Sequence, residues 1–198
     1  MFVMKCGRTI YSPLPHLGNI EGISPNGDTI FHTIKDFAFT DQQGQVVTNH
    51  NFDNCVYVAS YFFATCPDVC PRMNANLQRV YDRYKGNPKV KFISYTVDPD
   101  HDNTAVLLKY ANALNVDHNK WYFVTGNKES LYKLATESYL INAGVGDAMP
   151  VSFIHDQTFV LVDQNRNIRA TFDGLAPEKM DELTDAIQLL LTDMRLHK

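Results

Sequence analysis

The chain has 198 residues, 44% of them hydrophobic and 20% charged, with a formal net charge of -4; this is the usage of one packed globular domain and excludes a disordered chain. Its Lys and Arg residues are scattered, which leaves no positive field for a phosphate backbone and excludes nucleic acid as a partner. The longest uncharged run, residues 54–67, is too short to cross a bilayer as a helix, and residues 1–8 lack the apolar stretch and cleavage site of a secretory signal, so membrane association is expected only through an anchor that these residues do not contain.

Residues 1–35 are punctuated by Pro13, Pro15, Gly18, Gly22, Pro25 and Gly27 and read as an irregular N-terminal arm ahead of one domain at 36–198. Residues 37–40 and 46–48 around Asp41-Gln42-Gln43-Gly44 predict a small hairpin. Residues 56–63 are charge-free and rich in aromatic and β-branched side chains, the pattern of a central strand buried on both faces. Met73, Leu77, Val80, Tyr81 and Tyr84 then recur at helical spacing until Gly86 closes the segment. A strand at 90–97 precedes a helix marked by Leu107, Tyr110, Ala111 and Leu114, with Asp102 or Asn103 as its N-cap. A strand at 121–125, a helix at 127–138, a hairpin formed by 158–162 and 168–172, and a closing amphipathic helix begun by Pro177 complete the chain. The order is that of an α/β fold, with a sheet flanked by helices on both faces.

Three of the four cysteines fall between positions 55 and 70. Cys66-Pro67-Asp68-Val69-Cys70-Pro71 joins the end of the central strand to the next helix, where open α/β sheets place their ligand sites. If the turn is helical, Cys66 and Cys70 stand at i and i+4 on one face, able to share a metal ion or form a disulfide. The adjacent helix N-terminus favours the thiolate, the form that does either. Three intervening residues depart from the two-residue gap of ordinary dithiol oxidoreductases. Two thiolates with one imidazole suit copper and also zinc, although a structural zinc site would want a fourth protein ligand. Of the seven histidines, His155 immediately precedes a predicted strand, and Asp156 beside it could orient the ring. Taken alone, a histidine in that position is more often structural or merely exposed than a ligand. Cys55 and Met73 read as core, and Cys6 sits in the arm.

Phe63-Ala64-Thr65-Cys66-Pro67-Asp68-Val69-Cys70-Pro71, Thr96-Val97-Asp98-Pro99-Asp100-His101-Asp102, and His155 followed by residues 158–163 resemble, in order and separation, the three signature segments of the SCO/SenC family. The resemblance runs from about Asp36 to the closing helix. It implies a thioredoxin-like fold with a central mixed sheet, an N-terminal extension and a hairpin. It also implies that Cys66, Cys70 and His155 bind copper, as Cu(I) or Cu(II), and that the chain is a metallochaperone for the dinuclear copper centre of cytochrome c oxidase, by delivering copper, by reducing that centre's cysteines, or both. The partner expected is subunit II of the oxidase or another copper chaperone, at the periplasmic face of the inner membrane or in the equivalent intermembrane space. Asp98 and Asp102 match acidic positions of the family and would lie near the metal face, for docking or metal entry, with helix capping as the alternative. The family commonly has Arg where His101 stands and a small polar residue where Asp156 stands, departures that bear on docking. The competing expectation is a thiol-disulfide oxidoreductase that needs no metal, with Cys66 as nucleophile, Cys70 resolving and His155 assisting proton transfer. Thr158 stands where such enzymes carry a cis-proline, which weighs against it. A sensor of copper or redox state is a third reading.

Overall fold

The computed structural model describes residues 13–141 and 157–196. A hairpin of β1 (Ile20–Ile23) and β2 (Thr29–Phe31) leads into a second hairpin, β3 (Ala38–Asp41) and β4 (Val46–Thr48), and then to β5 (Val56–Phe62) and α1 (Val69–Tyr84). Next come β6 (Val90–Thr96), α2 (Thr104–Ala113), β7 (Trp121–Thr125) and α3 (Lys128–Lys133), which runs into a π-helical turn at Leu134–Ser138. The chain closes with β8 (Thr158–Val162), β9 (Ile168–Asp173) and α4 (Lys179–Leu196).

Seven strands form one mixed sheet in the order β4-β3-β7-β6-β5-β8-β9. Strands β5, β6 and β7 are parallel, while β3 runs antiparallel to β7, β8 to β5, and β9 to β8. Every residue of β5 is buried, and its side chains alternate between two cores. Val56, Val58 and Phe62 pack with Leu77 of α1, Leu107 of α2 and Ile187 of α4, while Tyr57, Ala59 and Tyr61 face Leu131 and the π-turn on the other side. Full burial of such side chains contributes about 1.5–3 kcal/mol each, so the position of β5 is fixed from both faces. From β5 the chain crosses through α1 to β6 on one side, while β8 occupies the other. The carboxyl end of β5 is therefore the crevice where such sheets bind ligands.

Some local expectations are revised. The arm at 13–35 contains the β1–β2 hairpin and lies against β9, where the Leu17 N–H donates to the Ile168 carbonyl at 2.8 Å. Arg169 fastens it, pairing with buried Asp163 at 2.8 Å while its guanidinium donates to the Pro15 and Leu14 carbonyls. Gly86 does not adopt the positive φ of a glycine helix stop; Lys85 caps α1 in an ordinary right-handed conformation. Pro177 lies ahead of α4, which starts at Lys179.

Gly174 follows β9, and its N–H donates to the Gln157 carbonyl at 2.7 Å. A Cβ there would lie 2.7 Å from that oxygen, 2.9 Å from Phe159 and 3.0 Å from Met73. Gly174→Ala is expected to cost about 1–3 kcal/mol by overpacking. Gly86→Ala, which meets nothing within 4 Å, should be neutral or slightly stabilising. Urea denaturation compares the two, and equal losses would contradict this packing.

Candidate functional site

Beyond Phe62 the chain turns sharply, and the Cys66 N–H closes the turn by donating to the Phe63 carbonyl at 3.2 Å. Cys66 stays outside the helix, whose N-cap is Asp68 and whose second residue is Cys70. The two cysteines therefore do not meet as a helical i, i+4 pair. Pro67 disfavours helical backbone at the residue before it, and Asp68 makes no capping bond with its side chain. In its place the Cys66 sulfur reaches forward and accepts the Cys70 N–H at 3.3 Å, occupying the end of α1 where backbone donors are otherwise unsatisfied. Pro71, in the first turn, sacrifices no intrahelical bond.

This placement separates the two thiols chemically. Burial pushes the Cys66 thiol up, but the backbone N–H groups of Cys70, Asp68 and Val69, with the Cys70 side chain, outweigh it and hold it below the ordinary thiol value. Burial drives Cys70 up to about 12, with the neighbouring Cys66 and the Asp102 charge adding to the rise and a backbone bond at Phe63 opposing it. The pair thus gives up one proton readily and retains the second. Cys66 is partly exposed and Cys70 buried, and neither is in a disulfide. Both line a pocket of about 260 Å³ whose apolar walls include Phe63, Val69 and Met73, with Gln157 at its edge. Met73 is buried, as its helical spacing predicts.

His155 and Asp156 lie outside the described residues, as do Cys6 and Pro150. Among the described residues no three His, Cys, Asp or Glu side chains converge where an ion could sit. The acidic segment is brought to the cysteine turn. Fully buried Asp102 accepts the Ala64 N–H at 3.0 Å and the Thr96 hydroxyl at 2.5 Å. Burial raises its carboxyl above the ordinary value against those two bonds. Asn103, not Asp102, caps α2, accepting the Val106 N–H at 3.1 Å. The Asp98 side chain is also buried, at 9% exposure, and accepts from Nδ1 of His101, which is 75% exposed. That hydrogen bond raises the His101 imidazole above its usual value. Full burial leaves Asp102 no surface to offer a docking partner, whereas His101 presents one. The roles of Thr96 and of the Ala64 amide were not foreseen. Thr96 stands within the acidic segment, but nothing in the sequence marks its hydroxyl as a bridge.

A sequence model of the family described as SCO1/SenC matches residues 27–192. The chain belongs to the SCO1/SenC family. Its fold is the thioredoxin-like fold of that family's solved structures. A SCO1/SenC family lipoprotein from Bacillus anthracis str. Ames superposes with a TM-score of 0.71 at 25% identity, covering 81% of this chain and 95% of that one. BsSco, described as a member of the Sco family of cytochrome c oxidase assembly proteins and solved in work on a disulfide switch, superposes at 0.69 and 25% identity, over 81% and 94% of the two chains. The copper-bound structure of Bradyrhizobium japonicum ScoI superposes at 0.63 over 80% of this chain and 99% of its own, and at 22% identity it shows the fold alone.

In this SCO1/SenC chain, with Cys6→Ser as background, brief treatment with a haloacetamide at neutral pH should modify Cys66 well ahead of Cys70 and Cys55, because only Cys66 combines access with a favoured thiolate. Peptide mass spectrometry reads the order; equal labelling of Cys66 and Cys70 would contradict the thiol asymmetry.

Proposed function

We propose that the chain is a copper-binding assembly factor for cytochrome c oxidase, in which Cys66, Cys70 and His155 hold a copper ion destined for the oxidase's dinuclear copper centre. The observation that carries this reading is the pairing of two sulfurs at one helix end, both lining one pocket, with Cys66 already inclined to ionise. Soft thiolates with a single imidazole favour copper, and three-coordinate binding leaves room for a partner's ligands to enter. The described residues supply both sulfurs and no third ligand. Gln157 lines the pocket and stands two positions after His155, a separation that spans at most about 7 Å of chain. The copper-bound ScoI structure and the oxidase-assembly description of BsSco support the same reading.

The partner is proposed to be oxidase subunit II or a second copper chaperone, met outside the cytoplasm at the membrane face. The lipoprotein relative supports that location. Among the described residues no helix is long and apolar enough to cross a membrane.

Thiol asymmetry favours a second reading. A thiolate at Cys66 can attack a substrate disulfide, forming a mixed disulfide and releasing one substrate thiol. Cys70, once deprotonated, then attacks the Cys66 sulfur, releasing the second thiol and leaving a Cys66–Cys70 disulfide. The disulfide switch described for BsSco is consistent with such chemistry.

Competition titration of Cu(I) into the reduced chain tests the first reading against the second. One-to-one binding is expected, lost in Cys66→Ala and weakened in His155→Ala by more than the roughly 10–100-fold typical of losing an outer-shell partner. Since the ion must displace the proton held by Cys70 near pH 12, affinity should rise with pH by at least about tenfold per unit between roughly pH 7 and 9, and more steeply wherever Cys66 is still protonated. Unchanged binding in His155→Ala, with substrate-disulfide reduction intact in metal-free protein, would favour the reductase.

A further inference from the structure

One oxygen of a buried carboxylate ties together the two loops that leave the parallel strands of the site. Asp102 Oδ2 accepts the Ala64 N–H from the turn after β5 and the hydroxyl of Thr96, the last residue of β6. Ala64 lies inside the turn closed by Cys66 on Phe63. The carboxylate is itself fixed, because the Asp102 N–H donates to the Asp98 carbonyl at 2.9 Å and Thr96 Oγ1 accepts the Asp98 N–H at 2.9 Å. One last ladder bond, from the Val97 N–H to the Phe62 carbonyl at 2.8 Å, precedes the point where the strands part. Beyond it, Asp102 takes over the pairing.

Burying this carboxylate is costly to the fold. Its other oxygen, Oδ1, is buried and has no hydrogen-bond partner among the described residues, a condition that destabilises the fold, more so for a charged group. A cap for α2 does not explain it, since Asn103 supplies that.

The geometry points to Asp102, held by Thr96, as a positioning residue that fixes the dithiol turn through the Ala64 amide and so sets how readily Cys66 and Cys70 close on each other. It acts through the backbone of the turn and not as a ligand. Holding one thiol at a fixed place beside the other raises its effective concentration there. Releasing the Ala64 amide lets the turn sample other conformations and dilutes Cys66 with respect to Cys70. The inference concerns the dithiol alone and stands independently of copper.

The test is equilibration in glutathione redox buffers near neutral pH. The Cys66 and Cys70 thiols together give two electrons and two protons to one glutathione disulfide, which becomes two glutathiones while the protein gains one disulfide. Thiol trapping with mass spectrometry gives the oxidised fraction, and near-ultraviolet circular dichroism reports folding. In Asp102→Ala the equilibrium constant for closure should fall about tenfold, as expected for lost effective concentration. Asp102→Asn removes the charge but keeps an acceptor for Ala64, and should stay within about twofold of the native chain. Thr96→Val should give a fall of about threefold in the same direction, and it carries the test if Asp102→Ala does not fold. A folded Asp102→Ala with a native or raised constant, an Asp102→Asn as impaired as the alanine variant, or an unchanged Thr96→Val would overturn the inference. Copper affinity of the reduced variants is read separately, so a chain that binds no copper would sink the copper reading while leaving this one to be decided by glutathione.

Discussion

The Cys66 sulfur rests on the Cys70 N–H at the start of α1, and the rest of the site depends on that contact. It is possible only because both flanks are fixed. Strand β5 is buried along its whole length, so the turn begins at a defined point. Met73, Leu77, Val80, Tyr81 and Tyr84 seat α1 on the sheet, so the donors at its N-terminus are equally defined. The three residues between the cysteines let the first remain outside the helix while the second stands inside it.

The two sulfurs are consequently unlike. Cys66 has backbone donors around it and partial exposure, whereas Cys70 is buried and holds its proton to about pH 12. A metal ion can draw that proton off, because a soft cation beside the sulfur replaces the stabilisation that burial withholds. On the proposed reading, a Cys66–Cys70 disulfide would remove both sulfurs as ligands at once, so copper occupancy and redox state would be linked, and the carrier and reductase proposals are two uses of one asymmetric pair. Phe63, Val69 and Met73 wall the pocket with apolar surface, which shields the buried Cys70 sulfur from water and strengthens interactions around it.

Much of the architecture was legible because strong patterns carry it. The uncharged run at 56–63 marks a strand buried on both faces, and the spacing from Met73 to Tyr84 marks a helix; both are present within a residue or a few. The β1–β2 hairpin was hidden, because its burial pattern is largely exposed and shows no alternation for a sequence reading to detect. Gly86 misled for a related reason, since a glycine after a helix suggests a left-handed stop that the chain does not use here. At the site, residue identity and spacing marked Cys66 and Cys70, but the way they meet is set by Pro67 and by the sulfur's reach to Cys70. Asp98 and Asp102 were marked as a pair, yet they do different things: one orients exposed His101 and the other spans two loops from the interior. Neither burial nor a hydroxyl bridge such as Thr96 is written in local sequence.

The most direct measurement is X-ray absorption at the copper edge of the reduced chain loaded with one equivalent of Cu(I). Expected is a first shell of two sulfurs and one nitrogen, with the nitrogen lost in His155→Ala and one sulfur lost in Cys70→Ala. A shell that keeps its nitrogen in His155→Ala, or that keeps both sulfurs in Cys70→Ala, would show that the ion sits elsewhere and would contradict a copper site built on this turn.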